Sequence, residues 1–396
     1  MSGPPPIPPE RLVTLANWER APYNRWGFQH VRELVPVATI ARAPRPRLLA
    51  YDEKDLLDLT FRSGGRAWTL ERLLSSNFTD GFLVVHDGKV ACERYWNGME
   101  PGTLHLLMSV SKSVTAAAAG VLAGEGRLEL SARVEEVVAE LADTSFSGAT
   151  VQQLLDMRAG THFEEDYDDP AADVSVYEEV YRWAPPGKAP VAASALEYFS
   201  TLHNDGPHGG PFRYRSILTD VMAWLIERAA GARFHEVVSR CVWQPMGAEF
   251  DGEVTVDGEG NALADGGICA TLRDLGRFGL LYLNRGRIGR RAVLPADFVE
   301  DTLRGAPDGA AAFRAGGEGA GHPRRAHYRN YWWVRDPTAP FLAAWGIHGQ
   351  YIFVHGPTKT VVVKLSSAPR PDDLTDFTAV ADATVAIGEH LAAGRG

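Results

Sequence analysis

Ser109-Val110-Ser111-Lys112-Ser113-Val114-Thr115-Ala116-Ala117-Ala118-Ala119-Gly120-Val121-Leu122-Ala123 is where the chain changes character. Four consecutive alanines carry the highest helix propensity available, and Gly124 and Gly126 offer stops. No charged residue follows Lys112 until Glu125, so the segment predicts a buried helix rather than an amphipathic surface one.

Upstream of this helix the pattern is that of strands. Phe82-Leu83-Val84-Val85-His86 and Val90-Ala91-Cys92-Glu93-Arg94-Tyr95 flank Asp87-Gly88, which supplies the positive φ angles of a tight hairpin turn. Downstream the pattern is helical. Residues 151–157 predict a helix ended by Gly160, and Thr219 or Asp220 can cap one over 221–230 that stops at Gly231. Thr271 can cap another over 272–283. Residues 161–190, rich in acid, aromatics and proline, read as a long irregular stretch. Strands return at Tyr351-Ile352-Phe353-Val354 and Thr360-Val361-Val362-Val363-Lys364-Leu365, around His355-Gly356-Pro357. An alanine-rich helix over 377–392 follows. Residues 42–46 read as an irregular connection, the proline-rich residues 1–9 as extended, and the glycine-rich run 316–321 as a flexible loop.

Strands at both ends of the chain can pair into one antiparallel sheet with the middle helices inserted. This predicts an α+β fold in two units. Residues 1–104 and 266–396 form the sheet-bearing unit. Residues 105–265 form a mostly helical one, with 161–190 as an active-site loop. A cleft between two such units is where a site is expected.

Composition bounds the function. The 396 residues carry Lys+Arg 40 against Asp+Glu 50, a net charge of −10, which disfavours nucleic acid and anionic membranes as partners. Hydrophobic residues at 45% and charged residues at 23% exclude a disordered chain or a fibre. Cys92, Cys241 and Cys269 show no pairing pattern, and there is neither C-x-x-C nor H-E-x-x-H, so no metal or other cofactor is expected. The N-terminus lacks the cationic start and apolar core of a secretory signal, and residues 114–123 are too short to span a bilayer. The expectation is a soluble, cytoplasmic protein.

The chemistry centres on Ser109 and Lys112, because S-x-x-K is the nucleophile motif of serine β-lactamases and penicillin-binding proteins. Residues i and i+3 share a helix face, about 5–6 Å apart at Cβ, so the amine can reach the hydroxyl. A serine needs a base to attack at neutral pH, and burial against the alanine-rich helix would favour the neutral amine. Among the lysines only Lys112 has a serine three positions earlier. Tyr214, in Phe212-Arg213-Tyr214-Arg215-Ser216, is a candidate proton relay, with a core tyrosine as the alternative. The backbone N–H groups of Ile347 and Ser109 could hold an oxyanion, since Gly346 lets a ligand approach the backbone closely. His348 reads equally as a structural or a catalytic histidine. The run Glu164-Glu165-Asp166-Tyr167-Asp168-Asp169 reads first as a solvated loop and otherwise as a negative field for a cationic substrate.

Several motifs together carry a family resemblance. They are Ser109-Val110-Ser111-Lys112 after His105-Leu106-Leu107-Met108, Tyr214-Arg215-Ser216, and Gly346-Ile347-His348-Gly349-Gln350. Ala21-Pro22-Tyr23-Asn24-Arg25-Trp26, Glu165-Asp166-Tyr167 with Asp169-Pro170-Ala171, and Val363-Lys364-Leu365-Ser366-Ser367 extend it over nearly the whole chain. The sequence resembles the serine β-lactamase/penicillin-binding-protein superfamily, class C branch. Within that branch it is most similar to the 6-aminohexanoate-dimer (nylon-oligomer) hydrolases.

The resemblance implies an acyl-enzyme on Ser109, Lys112 and Tyr214 as the bases, and Ile347 as the second oxyanion donor. It implies Tyr167 on a mobile loop, hydrogen-bonding the scissile amide nitrogen. Glu178 would meet the substrate's amino end, Trp183 would wall the pocket, and Asp265 and its neighbours would face the substrate. It also implies a homodimer. The substrate would be a small linear amide or a short-chain ester. The alternative is an acyltransferase of the same fold, passing the acyl group to an amine or alcohol. Three departures bear on the substrate. The third β-lactamase motif, Lys-Thr-Gly, is replaced by Ala344-Trp345-Gly346, and the second reads Tyr-x-Ser; Asp265 is an acidic variant at its position.

Overall fold

The computed structural model describes residues 6–167, 169–187, 192–317, 319 and 321–394. Residues 1–5 of the proline-rich start, Asp168 of the acidic run, and residues 318 and 320 of the glycine-rich run lie outside them, as do 188–190 of the expected loop.

Eight strands form the main sheet, in the order His327–Arg329, Trp332–Asp336, Phe341–Gly346, Gln350–His355, Thr360–Ser366, Thr79–His86, Lys89–Tyr95 and Ala50–Tyr51. The two expected hairpins are both present and lie side by side, with Val362 opposite Val84 and Thr360 opposite His86. The N- and C-terminal parts of the chain therefore build one sheet. It is antiparallel except at one edge, where Ala50–Tyr51 runs parallel to Lys89 and Val90.

Thr79–His86 and Thr360–Ser366 are buried along their whole length because helices cover both faces. Side-chain alternation assigns the faces. Ile352 meets the helix Leu272–Leu283, whereas Tyr351 and Phe353 meet Phe377 of the helix Leu374–Ala393. The helix Leu272–Leu283 is capped by Thr271 as expected. It lies so close to the sheet that a Cβ at Gly276 would fall 2.5 Å from Leu83, and one at Gly279 2.5 Å from Val361.

A smaller antiparallel sheet joins Val37–Ile40, Gly252–Thr255, Ile268–Ala270 and His105–Leu106. This sheet delivers the chain to the helix Val110–Gly124, which is buried from Val110 through Leu122.

Four helix assignments need correction. The helix after Thr150 ends at Leu155, because Met157 turns left-handed (φ +54°) while Asp156 pairs with Arg329. The stretch 161–190 contains a helix, Asp173–Val180, whose buried Val174 and Tyr177 have helical spacing that the surrounding acids obscured. The next long helix starts at Ile217, four residues early, since Asp220 accepts from the Ala264 and Asp265 amides instead of capping. The last helix starts at Leu374, where Asp373 accepts from the Thr375 and Asp376 amides.

Gly276→Leu is expected to cost about 1–3 kcal/mol by overpacking the helix–sheet contact, read as a lowered thermal unfolding midpoint, whereas Gly206→Ala, where a Cβ meets nothing within 4 Å, should cost less.

Candidate active site

Ser109 stands at the head of the buried helix, and Lys112 Nζ lies 2.9 Å from its Oγ. The Lys112 side chain is 1% exposed. Its amine also donates to the Asp265 carbonyl at 3.0 Å and lies 3.8 Å from the Asp265 carboxylate. Two other polar side chains of the helix turn toward the same segment. Ser111 Oγ accepts from the Ile268 amide and Thr115 Oγ1 donates to the Ala264 carbonyl. The buried amine is thus clamped between its own helix and residues 264–268, which supply the polar partners that a buried cation-forming group requires.

Tyr214 packs over this pair, with the Lys112 amine 5.1 Å from its ring centroid. Its ring stacks on Trp333, and Trp333 in turn stacks on His322. A cleft of about 260 Å³ opens here, lined by Ser109, Tyr167, Tyr214, His322, Trp333, Trp345, Ile347, Asp372 and Leu374. Burial and the Arg335 charge pull His322 down to about 4, so it is a neutral aromatic wall at neutral pH.

Ile347 follows the strand Phe341–Gly346 directly. A Cβ on Gly346 would stand 2.5 Å from the Leu107 carbonyl oxygen and 3.0 Å from the Ser109 nitrogen, so only glycine lets the two backbones meet. Left-handed residues flank the junction, Met108 (φ +48°) before Ser109 and His348 (φ +60°) after Ile347. Such strain in non-glycine residues persists where the surroundings enforce it, and it clusters at functional sites. His348 is 6% exposed, and its Nδ1 lies 2.7 Å from the Ala368 carbonyl. Burial pulls its pKa down, which leaves a neutral ring donating through Nδ1. The structure therefore binds this histidine into the turn, although its edge also lines the neighbouring cavity.

That cavity, of about 820 Å³, shares Tyr167 and Ile347 with the first and is lined by Trp18, Glu19, Arg20, Glu178 and Glu179, among others. Burial and the nearby Asp265 push Glu178 up to about 7, against the pull of Arg20. Asp265 is likewise raised by burial, against the pull of Lys112, and the buried Asp220 beside it is raised further. Trp183 does not line either cleft. Its indole donates to Thr255 Oγ1 at 3.0 Å, stands edge-on to Trp18 and packs beside Gly266.

The acidic run divides. Glu164, Asp166 and Asp169 are solvated, as the plain reading had it. Glu165 instead turns inward, and the loop reading missed it. Its carboxylate accepts from the Ser216 hydroxyl at 3.0 Å, the Ser216 amide, and the Tyr167 hydroxyl at 3.1 Å. Burial pushes it up to about 7, with Lys112 opposing. Its one available signal was the Glu165-Asp166-Tyr167 motif itself. His322, Trp333, Trp345 and Asp372 had no local signal, because only folding brings them beside Ser109.

Fold and site together define a serine hydrolase of the β-lactamase type. The beta-lactamase family matches residues 78–385, and the chain belongs to it. The chain is 36% identical to the 6-aminohexanoate-dimer hydrolase of Paenarthrobacter ureafaciens over 359 residues, 91% of this chain and 89% of that one. A Bacillus anthracis protein provisionally assigned as a 6-aminohexanoate-dimer hydrolase superposes with a TM-score of 0.87 at 28% identity, covering 97% of this chain and 98% of its own. A family VIII carboxylesterase shares the fold at 14% identity, with a TM-score of 0.59 over 79% of this chain and 95% of its own. The protein is accordingly a serine hydrolase of amides or esters. No helix among the described residues is long and apolar enough to cross a membrane.

Gly346→Ala is expected to slow labelling of Ser109 by a fluorophosphonate about 10²-fold, since the new methyl would push the two backbones apart. A second expectation concerns pH. A carboxyl raised in the folded state favours folding only while protonated, so Glu165 removes stability as pH rises from about 4.5 through about 7. The thermal midpoint of Glu165→Gln should fall less than that of the wild type over this range.

Proposed function

We propose that the enzyme cleaves small linear amides or short-chain esters through an acyl-enzyme on Ser109. The observation that carries this reading is the 2.9 Å contact between Ser109 Oγ and a lysine amine closed off from water. Lys112, as the neutral amine, takes the hydroxyl proton as Oγ bonds to the acyl carbon. The Ser109 and Ile347 amides hold the oxyanion. The proton passes by way of Tyr214 to the departing nitrogen or oxygen as its bond to the acyl carbon breaks. Water then attacks the ester, gives its proton back to the Lys112–Tyr214 pair, and releases the acid with Ser109 restored.

Tyr167 lies on the boundary of the two cavities, where its hydroxyl can meet the scissile nitrogen. Glu19, Glu178 and Glu179 line the larger cavity against a single arginine, Arg20, which suits a substrate with a cationic amino end. The name of the Paenarthrobacter relative points to the same substrate class. Ser109, Lys112, Tyr167 and Tyr214 come from the middle of the chain, and Trp333, Trp345 and Ile347 from its C-terminal part. That split supports two units, residues 1–104 with 266–396 and residues 105–265, meeting at the cleft. A homodimer belongs to the same reading by resemblance.

One observation favours acyl transfer as a second activity. Tyr214, Trp333, Trp345 and Leu374 present apolar surface beside Ser109, where an organic acceptor could compete with water. A fold neighbour at 16% identity is described as a hydrolase with promiscuous acyltransferase activity.

Ser109→Ala and Lys112→Met are each expected to lose about 10³-fold or more in turnover of p-nitrophenyl esters. Intact-mass measurement across esters, linear amides and β-lactams should find an acyl adduct on the wild type and none on Ser109→Ala. Full turnover by Ser109→Ala would overturn the reading. Adding amine acceptors and recovering only the hydrolysis product would remove the transferase activity.

A further inference from the structure

The turn Ile347–Gly349 is held in an unfavourable shape by a side chain that never reaches the cleft. His348 (φ +60°) and Gly349 (φ +87°) are successive left-handed residues, and the first is strained for lack of a glycine. Gln350 follows them, fully buried, and pairs with Gly346 across the hairpin. Its side-chain amide forms a two-point bridge to Ser366. Nε2 donates to the Ser366 carbonyl at 2.6 Å, and Oε1 accepts from the Ser366 amide at 3.0 Å. The remaining hydrogen of Nε2 faces the His348 carbonyl at 3.3 Å and the Ile347 carbonyl at 3.4 Å.

One side chain therefore bridges the neighbouring strand to two carbonyls of the turn. The surroundings reinforce it. The His348 amide donates to the Pro371 carbonyl at 2.7 Å, and Lys364 Nζ donates to Ser366 Oγ at 2.7 Å and to the Gly349 carbonyl at 3.4 Å. Upstream, Gly346 is pressed against Leu107 and Ser109. The Ile347 peptide is thus fixed from one side by backbone contact with the Ser109 segment and from the other by Gln350.

We propose that Gln350 is a positioning residue that aims the Ile347 N–H at the developing oxyanion, a reading that rests on the acyl-enzyme function above. The residue type follows from the bond pattern. Asparagine is one methylene too short to span both Ser366 and the turn. Methionine fills the space but has no hydrogen to donate. Glutamate would set a carboxylate oxygen against three carbonyl oxygens. A donor aimed at the transition state rather than the ground state changes kcat and leaves substrate binding alone.

The experiment compares the wild type with Gln350→Met and Gln350→Asn. It measures ester turnover, inhibition by a boronic acid that forms a tetrahedral adduct on Ser109, and inhibition by the carboxylic acid product. Deleting an oxyanion donor outright costs about 10²–10³-fold, so a misaimed one should cost about 10–10²-fold in kcat with KM within about threefold. Boronate affinity should fall in parallel while product affinity stays level. A merely structural role would weaken product binding and KM as much as kcat, and that result overturns the inference. So does wild-type kcat with wild-type boronate affinity in either folded variant. The two variants cover each other, since asparagine keeps a polar amide in the buried site if methionine does not fold. Labelling of wild-type Ser109, but not Ser109→Ala, by a fluorophosphonate tests the underlying reading separately.

Discussion

The site depends on one arrangement, a lysine amine sealed from water and held against the serine one helical turn before it. A buried amine is costly unless its hydrogens find acceptors. Here the acceptors are the Ser109 hydroxyl and the Asp265 carbonyl, with the Asp265 carboxylate a little further off. Meeting that requirement orders much of the molecule. The segment Ala264–Ile268 must lie along the helix, and Ser111 and Thr115 bind it there. The small sheet holds both pieces in register, because Ile268–Ala270 pairs with His105–Leu106, the strand that leads to Ser109.

A second constraint is close approach. Backbone segments from distant parts of the chain can meet only if nothing stands between them. Gly346 satisfies this by lacking a side chain where the Leu107 carbonyl and the Ser109 nitrogen pass. The strained Met108 and His348 on either side are held by their surroundings, and at His348 the holding groups are identifiable, namely Gln350, Ala368 and Pro371. Ser109 and Ile347 therefore meet from regular elements, the head of a buried helix and the end of a sheet strand.

Charge divides the cleft. On one side the wall is aromatic and uncharged, with Tyr214, Trp333 and a neutral His322 in a stack. Beyond it, Glu178 lines the larger cavity, Glu165 and Asp265 feel the charge of Lys112, and burial raises all three. Each of these carboxylates is favoured in its charged form only when a cation stands near. Arg20 is one such cation for Glu178, and Lys112 is one for Glu165 and Asp265 whenever its amine holds an added proton. This makes the neighbourhood of Ser109 responsive to the charge of whatever enters it.

Local patterns carried what was legible. Asp87-Gly88 announced a hairpin, Thr271 announced a helix, and Ser109 with Lys112 announced a shared helix face, because each effect acts within a few residues. Patterns of that kind also misled where a long-range partner won. Asp220 left its capping role for the Ala264 and Asp265 amides, Met157 broke a helix so that Asp156 could pair with Arg329, and Glu165 left the solvated run for Ser216 and Tyr167. From sequence alone this protein had its two central hairpins, several of its helices and the shared helix face of Ser109 and Lys112. Tertiary structure alone decided which carboxylates are buried, which aromatics wall the cleft and how Ile347 meets Ser109. Hydrogen bonding and desolvation between residues far apart in the chain depend on distances that only the folded backbone sets.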